Sequence, residues 1–194
     1  MRCLSCHKLS FSAFCQVCQS RLLQPTIAKR VLNGFEVYSF YHYQHIEDLL
    51  LTKHTPQGYI IYNALARIVF KKFIKNFIRY DKREIYIVGI DENIKFGYSH
   101  VALLTHQMRQ PNVKVLHAKL LAKNAISYAG KNLQFRLENP RNFKYTGKKN
   151  IQVILVDDLI TTGSTMLEAK EILEKNNCEV IFGLTLSDAN INIY

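Results

Sequence analysis

No run of this chain stays apolar for the roughly 20 residues that a membrane-spanning helix needs. No short apolar core of a secretory leader stands near its start either. Both absences lead to the expectation of a soluble cytoplasmic protein. There is no G-x-x-x-x-G-K-[ST]. Gly130-Lys131 comes nearest, but it lacks the upstream glycine and the following hydroxyl, which excludes that class of nucleotide loop. Acidic residues are scarce: 15 Asp and Glu stand against 26 Lys and Arg, for a formal charge of +11. An excess of that size points to polyanionic partners, whether nucleic acid, an acidic membrane surface or phosphorylated ligands, and says nothing of the fold. What is present suffices for a core: 48% of the 194 residues are apolar, enough for one full domain and a small appendage.

The most informative stretch runs from Val153 to Thr165. Val153-Ile154-Leu155-Val156 reads as a strand buried on both faces, and Asp157 and Asp158 end it. Leu159 and Ile160 lead to Thr161, Thr162, Gly163, Ser164 and Thr165, and a helical pattern follows, with Met166, Ala169, Ile172 and Leu173 on one face. A turn of small hydroxylated residues at a helix start leaves backbone N–H groups without partners. With the helix dipole these make an anion site suited to phosphate. Gly163 lets backbone approach a ligand without a Cβ in the way, and the hydroxyls add donors. The carboxylates just upstream suit sugar hydroxyls rather than the phosphate, whose charge repels them. Phosphate plus ribose diol is therefore the expected ligand. The plain alternative is a strand, turn and helix with a capping Thr or Ser. The stretch resembles, position by position, the PRPP-binding motif of type I phosphoribosyltransferases.

Four of the five cysteines lie in the first 20 residues, Cys3, Cys6, Cys15 and Cys18, spaced C-x2-C, eight residues, C-x2-C. Two paired thiolate knuckles close a tetrahedral site for Zn²⁺ or a single iron. In a cytosolic chain this reading outranks disulfides. Cys3 to His7 also fits a haem attachment pattern, but that leaves Cys15 and Cys18 unexplained. So short a segment has no core of its own, and the metal supplies its folding energy. Cys178 reads as a buried, inert thiol.

Residues 1–30 are taken as the metal-binding segment and linker and 31–194 as the main domain. Residues 21–34 read as linker with some helix, ending in an Asn33-Gly34 turn. Strands are expected at Phe35–Tyr43, Glu84–Ile90, Val113–Leu116, Gln152–Val156 and Val180–Leu186. Helices are expected at Ile46–Lys53, Tyr59–Tyr80, Tyr98–Met108 and after Ser164, with a break at His54–Gly58 and an unread tail from Ser187. Alternating strands and helices mean an α/β fold with a mainly parallel twisted sheet flanked by helices. Ligands then sit beyond the carboxyl ends of the strands, which puts the 89–93 and 157–165 loops on one rim. Lys71, Lys72 and Lys75 lie on the basic end of the long helix. Residues 117–150 carry Lys131, Arg136, Arg141, Lys144, Lys148 and Lys149, interleaved with Tyr128, Phe135, Phe143 and Tyr145. Cations beside stackable rings suit single-stranded nucleic acid; a flap closing over a phosphate-rich ligand is the other reading.

Both ends taken together, the chain from Cys3 to about Leu186 resembles the competence protein F (ComF) family, a four-cysteine zinc finger joined to a type I phosphoribosyltransferase-like domain. Tyr43 and Lys53 match a Tyr…Lys pattern of that family, and Arg136 to Phe143 resembles its Arg-x-x-Asn-x-x-x-Phe segment. The resemblance implies structural Zn²⁺ on the four cysteines and PRPP or a related phosphoribosyl ligand with Mg²⁺. It also implies single-stranded DNA as a partner in DNA uptake during natural transformation, with other DNA-uptake proteins at the inner face of the inner membrane. It departs in the middle: Phe96-Gly97-Tyr98-Ser99-His100 stands for Arg-Gly-Phe-Asn-Gln, and Gly89-Ile90-Asp91 for Pro-Leu-His. The pyrophosphate loop implied by the family falls on Gly89, Ile90 and Asp91, with Lys95 as a cation. There Asp91 and Glu92 repel the ligand unless Mg²⁺ bridges them. No residue reads as a base to activate a nucleobase, so PRPP binding is better supported than catalysis. An active phosphoribosyltransferase of nucleotide salvage is the competing reading.

Overall fold

The structure, a computed structural model, describes residues 1–90, 97–124 and 133–190, and for Leu133, Arg136 and Leu137 the backbone alone. After helix α1 (Gln16–Leu22) the chain enters a hairpin of β1 (Ala28–Leu32) and β2 (Phe35–His42). Asn33 and Gly34, both at positive φ, form its two-residue turn, the turn chemistry that matches strand twist. The segment expected as linker thus contains a strand. It escaped because it is short, edge-lying and half polar, with a burial pattern that alternates.

Next come α2 (Tyr43–Leu50), a 3₁₀ turn (Leu51–His54), α3 (Pro56–Ile68) and α4 (Phe70–Tyr80). The expected break at 54–58 is a helix start. Thr55 caps α3 by accepting the Gly58 N–H at 3.1 Å, and Pro56 opens the first turn. A Cβ on Gly58 would lie 2.0 Å from the Thr52 carbonyl oxygen and 2.5 Å from the Tyr98 hydroxyl, so only glycine lets the 3₁₀ turn close onto α3. The long helix expected over 59–80 is two helices, parted at Val69, whose φ of −115° is far from the helical value. Then follow β3 (Ile85–Gly89), α5 (His100–His106), β4 (Val113–Leu116), β5 (Leu120–Ala122), α6 (Leu133–Glu138), β6 (Phe143–Tyr145), β7 (Ile151–Ile160), α7 (Ser164–Lys175) and β8 (Cys178–Asp188).

The main sheet has the order β1-β2-β8-β7-β3-β4 and is parallel except for the β1–β2 hairpin. The mixed α/β fold with a mostly parallel sheet is therefore the one expected. β3 is buried throughout, as a strand covered on both faces must be. One core cluster gathers Ile154 and Val156 with Tyr62, Leu65, Phe70, Ile74 and Leu104, beneath α3, α4 and α5. The other gathers Val153 and Leu155 with Met166, Ala169 and Leu173 of α7 and with Phe143 and Tyr145 of the small β5–β6 ribbon. Phe14 and Leu23 of the cysteine segment join the first cluster. The Tyr41 hydroxyl donates to the Leu23 carbonyl at 2.9 Å, which ties the segment to β2.

Candidate functional site

β7 and β3 run parallel, Gly89 opposite Val156, and the Ile90 N–H donates to the Val156 carbonyl at 2.9 Å. The ends of the two strands thus share a rim, as the α/β pattern requires. β7 does not stop at the aspartates: Asp157, Leu159 and Ile160 continue the ladder, opposite Thr185, Ser187 and Asp188 of β8. The charged pair ended the apolar run in sequence, but pairing with β8 carries the strand on.

The turn at 161–163 then reverses the chain into α7. Gly163 sits at φ +86°, and a Cβ there would come within 2.5 Å of the Leu32 side chain. The glycine is demanded by a left-handed backbone packed on β1. The N–H groups of Gly163 and Thr165 make no hydrogen bond among the described residues, as expected of a helix start. The hydroxyls of Thr162 and Ser164 lie 3.0 Å apart. The carbonyls face the other way. Arg30 of β1 donates to the Thr161 carbonyl at 2.6 Å and to the Thr162 carbonyl at 3.4 Å, while its guanidinium pairs with buried Asp188 at 3.2 Å. The Asn190 side chain donates to the same Thr161 carbonyl at 2.9 Å. The loop is therefore pinned through its acceptors, with Gly163 and Thr165 keeping donors for an anion. Arg30 lies in the segment read as linker, and Asp188 in the tail read as uninformative; no local pattern links residues so far apart.

Asp157 and Asp158 differ. Asp157 is half-buried, and its Oδ1 accepts the Asp158 N–H at 2.8 Å. Asp158 is 6% exposed. Its Oδ2 accepts from Lys53 Nζ at 3.3 Å, His100 Nε2 at 3.3 Å and the Tyr62 hydroxyl at 3.4 Å. Burial alone would raise this carboxyl. The Lys53 and His100 charges and hydrogen bonds outweigh burial and hold it well below the usual carboxylate range. Burial, then the Asp158 charge, pushes the Tyr62 hydroxyl far up. Sequence reading named Lys53 only through a family pattern and His100 only as a departure from one, and it missed Tyr62; all three reach Asp158 only in the fold.

Of the pyrophosphate-loop residues, Gly89 and Ile90 close β3 at the rim, and Ile90 is buried. Asp91 and Lys95 lie outside the described residues. Of the basic residues, Lys71, Lys72 and Lys75 are exposed on α4 and make no ion pair among the described residues. Lys144 and Lys149 are exposed. Lys148 donates to the Tyr86 hydroxyl at 2.7 Å and pairs with Glu84 at 3.7 Å. Arg141 is buried, and its backbone N–H donates to the Glu168 carboxylate of α7 at 3.1 Å. Lys131 and Tyr128 lie outside the described residues, as does the side chain of Arg136. Phe143 and Tyr145 are buried against β5 and β7, which corrects their reading as stacking rings. A three-residue strand places both rings inward with Lys144 out between them.

The sulfurs of Cys3, Cys6, Cys15 and Cys18 all lie within 4.8 Å of one another, and those of Cys6 and Cys15 are 3.7 Å apart. A tetrahedron of Zn–S bonds of about 2.3 Å has sulfurs about 3.8 Å apart, so the cluster fits a Zn²⁺ ion. The N–H of Cys6 and that of Cys15 pull the Cys3 thiol down to about 6 against burial. Cys18 is pushed up to about 12: its Ser5 hydrogen bond lowers it, and burial with bonds to the other thiols overrides that. Four thiols in one space share protons unevenly until a cation takes the charge. Among the described residues this is the one cluster of three or more metal-ligating side chains. No helix is long and apolar enough to cross a membrane among the described residues.

Residues 100–191 match the family model of the phosphoribosyl transferase domain, a little under half of the chain. The chain is similar to the adenine phosphoribosyltransferase of Campylobacter hominis, 26% identical over 70% of this chain and 79% of that enzyme. It is also similar to that of Paraburkholderia xenovorans, 25% identical over 63% of this chain and 62% of that enzyme, less than two thirds of its length. A crystal structure of an adenine phosphoribosyltransferase is 15% identical, with a TM-score of 0.44 over 89% of each chain. The chain thus carries a phosphoribosyltransferase-like domain behind a four-cysteine cluster.

Proposed function

We propose that the chain binds PRPP or a related phosphoribosyl ligand, with Mg²⁺, at the 157–165 rim, and serves as a DNA-uptake factor of the ComF kind. The observation that carries the binding half is the pinned loop. Its carbonyls are engaged by Arg30 and Asn190, which leaves the N–H groups of Gly163 and Thr165 for a phosphate, beside the paired hydroxyls of Thr162 and Ser164 and the hydroxyl of Thr165. Asp157 supplies a carboxylate one residue before the buried Asp158, on the strand that leads into the loop. Mg²⁺ needs only one or two carboxylates when the ligand brings phosphates, and Asp157 fits that demand. Zn²⁺ belongs on Cys3, Cys6, Cys15 and Cys18 as the staple of the 1–30 segment ahead of the 31–194 domain.

A four-cysteine cluster ahead of a phosphoribosyltransferase-like domain is the arrangement that ComF-type proteins have, and it supports the uptake half. Single-stranded DNA is assigned to the exposed Lys71, Lys72 and Lys75, which make no ion pair among the described residues, with Lys144 and Lys149 as further cations. A cytoplasmic protein at the inner face of the membrane, beside other uptake proteins, follows from that role. The second reading, an active phosphoribosyltransferase of nucleotide salvage, draws on the names of the two curated relatives.

Calorimetry with PRPP and Mg²⁺ tests the binding. One saturable site is expected, weakened about tenfold or more in Thr162→Val/Ser164→Ala, since each hydrogen bond to a charged group is worth roughly 1.5–3 kcal/mol. A flat trace from the unaltered chain overturns it. Pyrophosphate release from PRPP with a panel of nucleobases separates the two readings: turnover favours salvage.

A further inference from the structure

The two neighbouring carboxylates sit on one strand, and a strand sends successive side chains to opposite faces. We infer that they divide the work. Asp157 meets the hydroxyls of the ligand, and Asp158 is a positioning residue that does not touch the ligand and acts through Lys53 and His100. The inference rests on the phosphoribosyl reading above and deepens it by separating two residues that a sequence motif treats as a pair.

Asp158 turns into the helix-side core, where Tyr62 lies, and is 6% exposed. Its Oδ2 takes the Lys53 ammonium and the His100 imidazole at 3.3 Å, and at 3.4 Å the Tyr62 hydroxyl, whose proton is shared with the Leu50 carbonyl. An oxygen so engaged has no acceptor to spare for a sugar hydroxyl, and burial of the side chain, 9% exposed, keeps the rest of the carboxylate from one. The three donors come from three elements: the 3₁₀ turn at 51–54, α3, and the first residue of α5. Tyr98, two residues before His100, donates to the carbonyls of Lys53 at 2.7 Å and Thr55 at 2.9 Å. Asp158 is thus the knot that ties the 53–55 and 98–100 segments to the strand bearing the ligand loop. What the knot holds at the rim is a cation. The Lys53 side chain is 31% exposed, and the pairing stops its ammonium from ranging through solvent. A fixed cation beside an anion site strengthens binding without the entropy cost of ordering it. Asp157 has the complementary setting, half-buried and fixed by the N–H of Asp158.

The test is a double-mutant cycle on ligand affinity, measured by calorimetry on the full chain with Mg²⁺. Asp158→Asn and Lys53→Met are each expected to weaken PRPP about tenfold, the loss of one charge-assisted hydrogen bond. The double variant is expected to lose no more than the worse single one. Inorganic pyrophosphate, which has no sugar, is the second probe. Asp158→Asn should weaken pyrophosphate and PRPP by the same factor, whereas Asp157→Asn, which removes the partner of the ribose hydroxyls besides a carboxylate for Mg²⁺, should weaken PRPP by the larger factor. If Asp158→Asn does not fold, His100→Gln removes the imidazole and leaves the carboxylate, and the same comparison of the two probes applies. Losses that multiply in the double variant, or an Asp158→Asn or His100→Gln that weakens PRPP and spares pyrophosphate, overturn the inference. An unaltered chain that binds neither probe overturns the phosphoribosyl reading and this inference with it.

Discussion

Gly163 carries two separate demands. Its φ of +86° asks a residue with a Cβ for about 1–2 kcal/mol. Its contact with Leu32, 2.5 Å from where that Cβ would sit, adds an overpacking cost of roughly 1–3 kcal/mol. Gly163→Ala should therefore lower the thermal midpoint. Combined with Leu32→Ala, which opens the space, the two changes should cost less than their sum by the packing part alone. Additive losses in thermal unfolding would mean that Leu32 is not what the alanine meets. Sequence alone gave the right residue at 163 for a different reason, ligand approach, because Leu32 is 131 positions away and lies in a strand that was not read. Arg30, from the same strand, was missed for the same cause. Asp157 and Asp158 were legible as acids ahead of an anion loop, but not as side chains on opposite faces. That follows from the β7–β8 ladder, which no window of residues contains.

Among the elements, α4 bears most directly on the partner. It buries Phe70 and Ile74 and turns Lys71, Lys72 and Lys75 to solvent, and its eleven residues include no acid. If that face binds single-stranded DNA, release of counterions dominates the affinity. Lys71→Ala/Lys72→Ala/Lys75→Ala should then flatten the slope of log affinity on log salt by about two units, at about 0.7 per phosphate. An unchanged slope in filter binding assigns the positive charge elsewhere. Sequence periodicity located this helix but ran it into α3, because the apolar stripe continues through Val69, where only the backbone φ parts the two helices. β2, β3, β4 and α7 were read within a few residues, since each has a clear period and a buried face. β5 and β6, three residues each, lie below the length at which alternation is recognisable.

At the scale of the molecule, the cysteine segment is joined to the main core. Phe14 and Leu23 are buried with Tyr41 and Ile46, and the Thr26 N–H donates to the Phe40 carbonyl at 2.9 Å. Metal analysis should find one Zn²⁺ per chain. Stripping it with a strong chelator, or Cys15→Ser, should lower the thermal midpoint of the whole protein, because freeing Phe14 and Leu23 forfeits about 1.5–3 kcal/mol for each. A main transition that does not move would make the segment an independent appendage. The sheet has a further consequence. Among the described residues β8 follows every other strand in sequence, yet it lies between β2 and β7. During synthesis on a ribosome the hairpin and the β7–β3–β4 half emerge as two ribbons, each with a bare backbone edge facing the other. Neither edge is satisfied until the residues up to Asp188 have cleared the exit tunnel. From the emergence of β7 until β8 follows it, the nascent protein holds two half-sheets with unpaired edges, in need of shielding from its neighbours. The last strand then closes them in a single step.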